Sequence, residues 1–249
     1  MFFVGHISIA FILGYLLVSK FRVQNVSLSL ILFLSILPDI DVLFRFTVAD
    51  IAHRSITHSL GVIAIIFFIF LLKYKRPSSI IIYSIAYLSH LAIGDLIVGP
   101  LNVVYPFGTF YLSAGIGFKT LEHIFIEGVL LAIMATIAIC QYLHGPKRDI
   151  TFPFAYSKKL DPIFYPLVIL GILASPLFLL DESQKELLEF PNIFVSLFQS
   201  YDSLTAVAIL VLHAFSVAIV IFLWIITWWK TDSRYSYQAK AKQHSQHKL

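Results

Sequence analysis

Apolar runs of roughly 18 residues or more recur along this chain, and as a helix each is long enough to cross a hydrocarbon layer about 30 Å thick. A soluble surface is excluded by the same feature. Of 249 residues, 59% are hydrophobic and 13% charged, against about 25% charged in a typical soluble domain, and the mean hydropathy is +0.86. The runs are continuous rather than alternating, and a helix satisfies its own backbone in lipid, so helices rather than strands are expected. The sequence predicts an all-α, multispanning transmembrane bundle of about seven helices, over residues 2–19, 26–44, 57–72, 80–98, 124–143, 163–180 and 204–229. The first run has no basic residue before it and Lys20 and Arg22 after it, the reverse of a secretory signal peptide, so it is expected to stay as a first span. Cys140 is a lone cysteine, which removes intramolecular disulfides and cysteine metal sites from consideration.

Lysine and arginine are enriched in cytoplasmic segments, and their distribution sets an orientation. With the N-terminus outside and the C-terminus inside, 14 of the 18 basic residues fall on the inner side, leaving Arg45, Arg54, Lys119 and Lys185 outside. Three regions follow: a five-helix membrane domain over residues 1–143, two further spans over 144–229 with an amphipathic interfacial segment near 182–203, and a basic cytoplasmic tail over 230–249. The interfacial segment is read from Leu187, Phe190, Phe194, Leu197 and Phe198 at helical spacing. The tail is expected to be a disordered anchor near anionic lipid, with no nucleic-acid partner. The expected location is the cell (cytoplasmic) membrane, and the oligomeric state is not given.

Ionisable groups within spans are costly, which makes their positions informative. On this topology His6 lies near the outer end of helix 1, and Asp39 and Asp41 end helix 2 on the same side. His53 and His58 enter helix 3 from there, His90 and Asp95 occupy the outer half of helix 4, and His123 and Glu127 begin helix 5. Nine nitrogen or oxygen ligands thus come from five helices to one membrane face. Each has an ordinary structural explanation. Pro38 with two aspartates can end a helix, His123 and Glu127 can be a stabilising pair four residues apart, and His53 and His58 beside Arg54 can sit in a solvated loop. His90 and Asp95 resist this, since they lie roughly 5–12 Å below the surface at 1.5 Å per residue. His213 and His144 have no acidic partner at helical spacing and are read as structural.

Imidazole and carboxylate together suit Zn2+, Mn2+ or Fe2+, and a dication makes a cluster of buried carboxylates favourable rather than repulsive. One ion uses about four protein ligands, so nine point to two or three ions, with Zn2+ the best fit. Asp39 or Asp41 can serve as general base instead of ligand, and Arg54 can hold a substrate phosphate through its planar fork. The loop over residues 99–120, rich in glycine and aromatics, is expected to cover the site.

Pro38-Asp39-Ile40-Asp41, His53-Arg54-Ser55-Ile56-Thr57-His58-Ser59 and Ser89-His90-Leu91-Ala92-Ile93-Gly94-Asp95, after an N-terminal histidine, resemble the motifs of the YdjM-like family of membrane-bound metal-dependent hydrolases. The likeness covers about residues 1–130. That family looks distantly similar to zinc-dependent phospholipase C and the fungal zinc nucleases. The resemblance implies a metal cluster held by His6, Asp39 or Asp41, His58, His90, Asp95, His123 and Glu127, hydrolysing a phosphodiester or other ester. His90 and Asp95 are five apart, where four is usual. Five residues rotate an α-helix by about 140° net, so the pair shares a face only if the helix bulges, for which Gly94 makes room.

The expected activity is metal-dependent hydrolysis of a lipid or lipid-linked substrate at the outer membrane interface. Two other classes remain open from sequence: a divalent-cation or proton transporter, and a non-enzymatic protein with a structural metal site. The inner halves of helices 1 to 5 are almost wholly apolar, which favours a one-sided site over a transport path.

Overall fold

A computed structural model of the chain describes residues 1–41, 57–74, 76–98, 101–102, 104, 108, 110–116, 120–144, 153–175 and 203–246. His53, Arg54, Asp50 and nearly all of the amphipathic segment near 182–203 lie outside the described residues. The architecture is the expected all-α bundle. Seven α-helices are described: α1 Phe3–Phe21, α2 Leu28–Ile36, α3 Leu60–Lys73, α4 Pro77–Ser89, α5 Leu121–His144, α6 Asp161–Ala174 and α7 Ser203–Gln246. Among them α1, α4 with its extension to Asp95, α5 and α7 are long and apolar enough to cross a membrane.

Local sequence explains several boundaries. Helix α1 closes where Arg22 takes the left-handed conformation (φ 49°) and its N–H returns to the Val18 carbonyl. Ser27 and Ser59 cap α2 and α3, each accepting the N–H three residues on. Helix α2 is shorter than expected, because the chain tightens into a 3-10 turn over Leu37–Ile40 around Pro38. Helix α4 passes without a break into a π-helical turn, His90–Asp95. A small departure from pure helix follows in the α4–α5 connection, where Leu101–Asn102 (β1) and Tyr111–Leu112 (β2) pair antiparallel, Leu101 opposite Leu112. Helix α7 runs on to Gln246, so the tail expected to be disordered continues the helix, and residues 230–246 contain no glycine or proline to stop it.

Helix α1 is central and packs against α2, α4 and α5, while α2 also packs on α4 and α6, and α7 on α5 and α6. Helix α3 is peripheral and rests on α4. Phe70 is its one buried residue, and Ile65, Phe67, Phe68, Ile69, Leu71 and Leu72 face outward, as a lipid-facing helix requires. This connectivity brings the start of α1, the end of α2, the turn before α3, the end of α4 and the start of α5 to one end of the bundle. The other end has its own buried carboxylate, Asp161, which accepts hydrogen bonds from Ser27 Oγ (2.9 Å), Ser29 Oγ and the Ser157 amide (3.0 Å).

Candidate metal centre

Four buried residues bring ligand atoms within 4.8 Å of one another: Asp39 from the 3-10 turn, His58 from the turn before α3, and His90 and Asp95 from the π turn. His58 Nε2 lies 3.3 Å from Asp39 Oδ1 and 3.0 Å from Asp95 Oδ2. His90 Nε2 lies 3.3 Å and 3.2 Å from the same two oxygens, and the two Nε2 atoms are 3.2 Å apart. Ligands arranged tetrahedrally about 2.0 Å from one ion would be separated by about 3.3 Å. The donor set and its spacing therefore fit a divalent cation. Electrostatics agree, since two carboxylates this close in an apolar bundle repel, and one dication with two neutral imidazoles cancels their charge.

The π turn resolves the five-residue spacing of His90 and Asp95. Its i→i+5 pattern, seen where the Leu96 N–H reaches the Leu91 carbonyl, carries residues five apart to one side. The 3-10 turn does the opposite for Asp39 and Asp41. At about three residues per turn, positions two apart diverge by roughly 120°, so one carboxylate faces the cluster and the other turns away.

Asp41 instead supports His58. Thr57 Oγ1 donates to Asp41 Oδ2 (2.8 Å) and lies 2.9 Å from His58 Nδ1. The hydroxyl has one hydrogen, and a carboxylate only accepts, so Thr57 Oγ1 accepts from His58 Nδ1–H and Nε2 presents its lone pair to the cluster. His90 is fixed in the same way by the Ser35 carbonyl, 2.6 Å from Nδ1. Carbonyl or carboxylate support behind an imidazole is the usual second layer of a metal site. Sequence reading had not singled out Thr57 or Ser35; Thr57 stood inside the quoted histidine segment, whereas a backbone carbonyl leaves no trace in residue identity.

The remaining predicted residues are placed as follows. His6 is fully buried and stacks on His90, with centroids 3.6 Å apart and planes at 13°. His123 and Glu127 form a buried pair, His123 Nε2 to Glu127 Oε1 at 2.7 Å. Glu127 also accepts the Phe2 N–H (2.6 Å) and the Gly5 N–H (3.2 Å), so it satisfies first-turn amides of α1. Phe2 stacks on His123 (5.1 Å) and meets His213 edge-on (5.4 Å). His213 has both ring nitrogens engaged, with the Ile209 carbonyl (2.7 Å) and the Ser175 hydroxyl (2.5 Å), as a structural histidine would.

Residues 1–157 match the family model described as YdjM inner membrane protein. The chain belongs to that family. The YdjM match holds every predicted site residue and ends before α6, so α6 and α7 follow the matched region. No curated protein and no solved structure matches the chain.

Proposed function

We propose that this YdjM family protein is a membrane-embedded, metal-dependent hydrolase acting on a phosphodiester or other ester of a lipid or lipid-linked substrate, in the manner of zinc-dependent phospholipase C. The observation that carries the reading is the Asp39–His58–His90–Asp95 quartet, whose spacing suits one divalent ion. Zn2+ fits the ligands best, with Mn2+ and Fe2+ as alternatives. A bound divalent ion lowers the pKa of a coordinated water towards about 7 and polarises an ester oxygen. Asp39, His58, His90 and Asp95 would hold it, while Asp41 through Thr57, and Ser35 through its carbonyl, keep both rings in the ligating tautomer. Arg54, three residues before Thr57, supplies a planar cation for an anionic substrate oxygen.

The lopsided distribution of lysine and arginine supports a site on the outer face. Against transport, the Ser8 and Ser35 hydroxyls bond the Val4 and Leu32 carbonyls of their own helices.

The test is the purified protein in lipid nanodiscs, assayed for metal content and for hydrolysis of phosphodiester, acyl ester and amide lipids, beside His58→Ala and Asp39→Asn. Metal in the wild type, reduced in both variants together with hydrolysis of one substrate class, is the expected result. Metal unchanged in both variants overturns the quartet, and bound metal without hydrolysis of any substrate favours the structural or transport readings.

A further inference from the structure

The bundle end opposite the quartet is marked by charge and by aromatic side chains. Every lysine and arginine whose side chain is described lies there: Lys20 and Arg22 where α1 closes, Lys73 at the end of α3, Arg76 before α4, and Lys158 and Lys159 before α6. All of them are exposed. Among the described side chains the one carboxylate at this end is Asp161, which is buried and bonded to Ser27, Ser29 and the Ser157 amide. The three tryptophans of the chain, Trp224, Trp228 and Trp229, close the apolar stretch of α7 at the same end, just before Lys230.

Two clefts, each of about 250 Å³, are built around these tryptophans and share Ile225 as a wall. The first lies between Tyr156 and the α7 residues Trp224 and Trp228. The second lies between Tyr142 of α5 and the α7 residues Phe222, Ile226 and Trp229. Their walls are held in place: Trp224 stacks on Tyr165 with centroids 5.4 Å apart and planes at 13°, and Tyr142 packs on Phe222 (5.6 Å) and Trp229 (6.2 Å). Ile225 and Trp228 are each more than half exposed, so the clefts open outward to lipid rather than into the bundle.

We infer that the two clefts seat the acyl chains of one anionic phospholipid, with its phosphate at Lys158 and Lys159. Depth supports this, because the apolar stretch of α7 ends at Trp229 and the clefts therefore lie where hydrocarbon gives way to headgroups. At that level Trp and Tyr keep their rings in the apolar layer and offer an N–H or O–H to ester and phosphate oxygens. Ile225, standing between the clefts, separates two chains of one lipid. Charge selects the headgroup. Lys158 and Lys159 follow Tyr156 closely in sequence, and the nearby Asp161 is occupied by its serines. A zwitterionic headgroup brings a cation that these lysines repel, whereas an anionic one does not. A basic tail attracts anionic lipid anywhere around it; the clefts hold one molecule at a fixed place. The site stands at the far end of the bundle from the quartet and does not depend on an ion being bound there.

The site carries its own reporter, because all three tryptophans line the clefts. The experiment places the full chain in phosphatidylcholine nanodiscs containing a minor fraction of either phosphatidylglycerol or phosphatidylcholine brominated on the acyl chains, and reads tryptophan quenching. Brominated phosphatidylglycerol should quench more strongly, with each lysine contributing about fivefold to its association. The variants change exposed positions and leave the packed core intact. Lys158→Gln with Lys159→Gln should make the two lipids quench equally. Lys20→Gln with Lys73→Gln removes the same charge at the same end but away from the clefts, and should behave as the wild type. Ile225→Phe crowds both clefts and should weaken quenching by either lipid. Equal quenching by the two lipids in the wild type, or the same loss in both lysine pairs, overturns the site. A preference that disappears only in Lys240→Gln with Lys242→Gln overturns it as well, by placing the anionic lipid on the tail.

Discussion

Removing one hydroxyl that touches no metal should weaken metal binding by one to two orders of magnitude. Thr57 Oγ1 stands between Asp41 Oδ2 (2.8 Å) and His58 Nδ1 (2.9 Å), and without it those two groups face each other at 3.6 Å, beyond a hydrogen bond. In Thr57→Val the shape is nearly kept, but the hydroxyl that accepts the Nδ1 proton is lost, which weakens the preference for the tautomer that presents Nε2. Loss of such second-layer support costs about 10–100-fold in metal affinity, or about 1.4–2.7 kcal/mol at about 1.4 kcal/mol per tenfold. Thr57→Ser keeps the hydroxyl and should stay near the wild type. The turn itself should survive both changes, because Tyr87 Oη holds it through the Thr57 carbonyl rather than the side chain. Competition against a chromophoric chelator in nanodiscs measures the affinities. Valine binding as tightly as threonine, or serine as weak as valine, would refute the relay.

Three further outcomes follow from the same contacts. Glu127→Ala removes the carboxylate that accepts from the Phe2 amide, while the Gly5 amide keeps the Phe2 carbonyl (3.1 Å), and should destabilise the protein by about 1–3 kcal/mol, with Glu127→Gln losing less; thermal unfolding in nanodiscs reads this, and a Gln variant that loses metal at full stability would make Glu127 a ligand instead. Asp161→Ala should cost about 1–3 kcal/mol for each donor left unpaired, among the Ser27 and Ser29 hydroxyls and the Ser157 amide, while metal content at the opposite end of the bundle stays unchanged. A cysteine at position 50, in a background with Cys140 replaced, should react with an impermeant reagent from the outside of the cell; labelling from the cytoplasmic side alone would put the site on the inner face.

The part played by sequence differs from residue to residue. Continuous apolar runs marked the helices, because spanning lipid demands a long stretch with few charges and a self-satisfied backbone. The His90–Asp95 spacing was readable as a conflict with α-helical geometry, and Gly94 as the place where the conflict is relieved; the π turn is that relief. The choice between Asp39 and Asp41 was not readable, since both carboxylates are chemically equivalent and the direction of each depends on how tightly Pro38 winds its turn. His123 and Glu127 carry the same ambiguity: four residues apart they share a face, but whether that face meets a metal or the amides of another helix depends on where α1 begins relative to α5.

By itself, then, the sequence determined that this is a multispanning helical protein whose histidines and aspartates collect at one end of the bundle, because hydropathy and the cost of buried charge act along the chain. Tertiary structure alone decided which imidazole nitrogens and carboxylate oxygens meet at 3.0–3.3 Å, which carboxylate turns back to steady a histidine, and that the His6 ring stacks on His90 with its Cε1–Nδ1 edge against Gly94. Coordination depends on distances of a few ångströms between atoms far apart in sequence, and those distances are set only when the helix ends pack against one another.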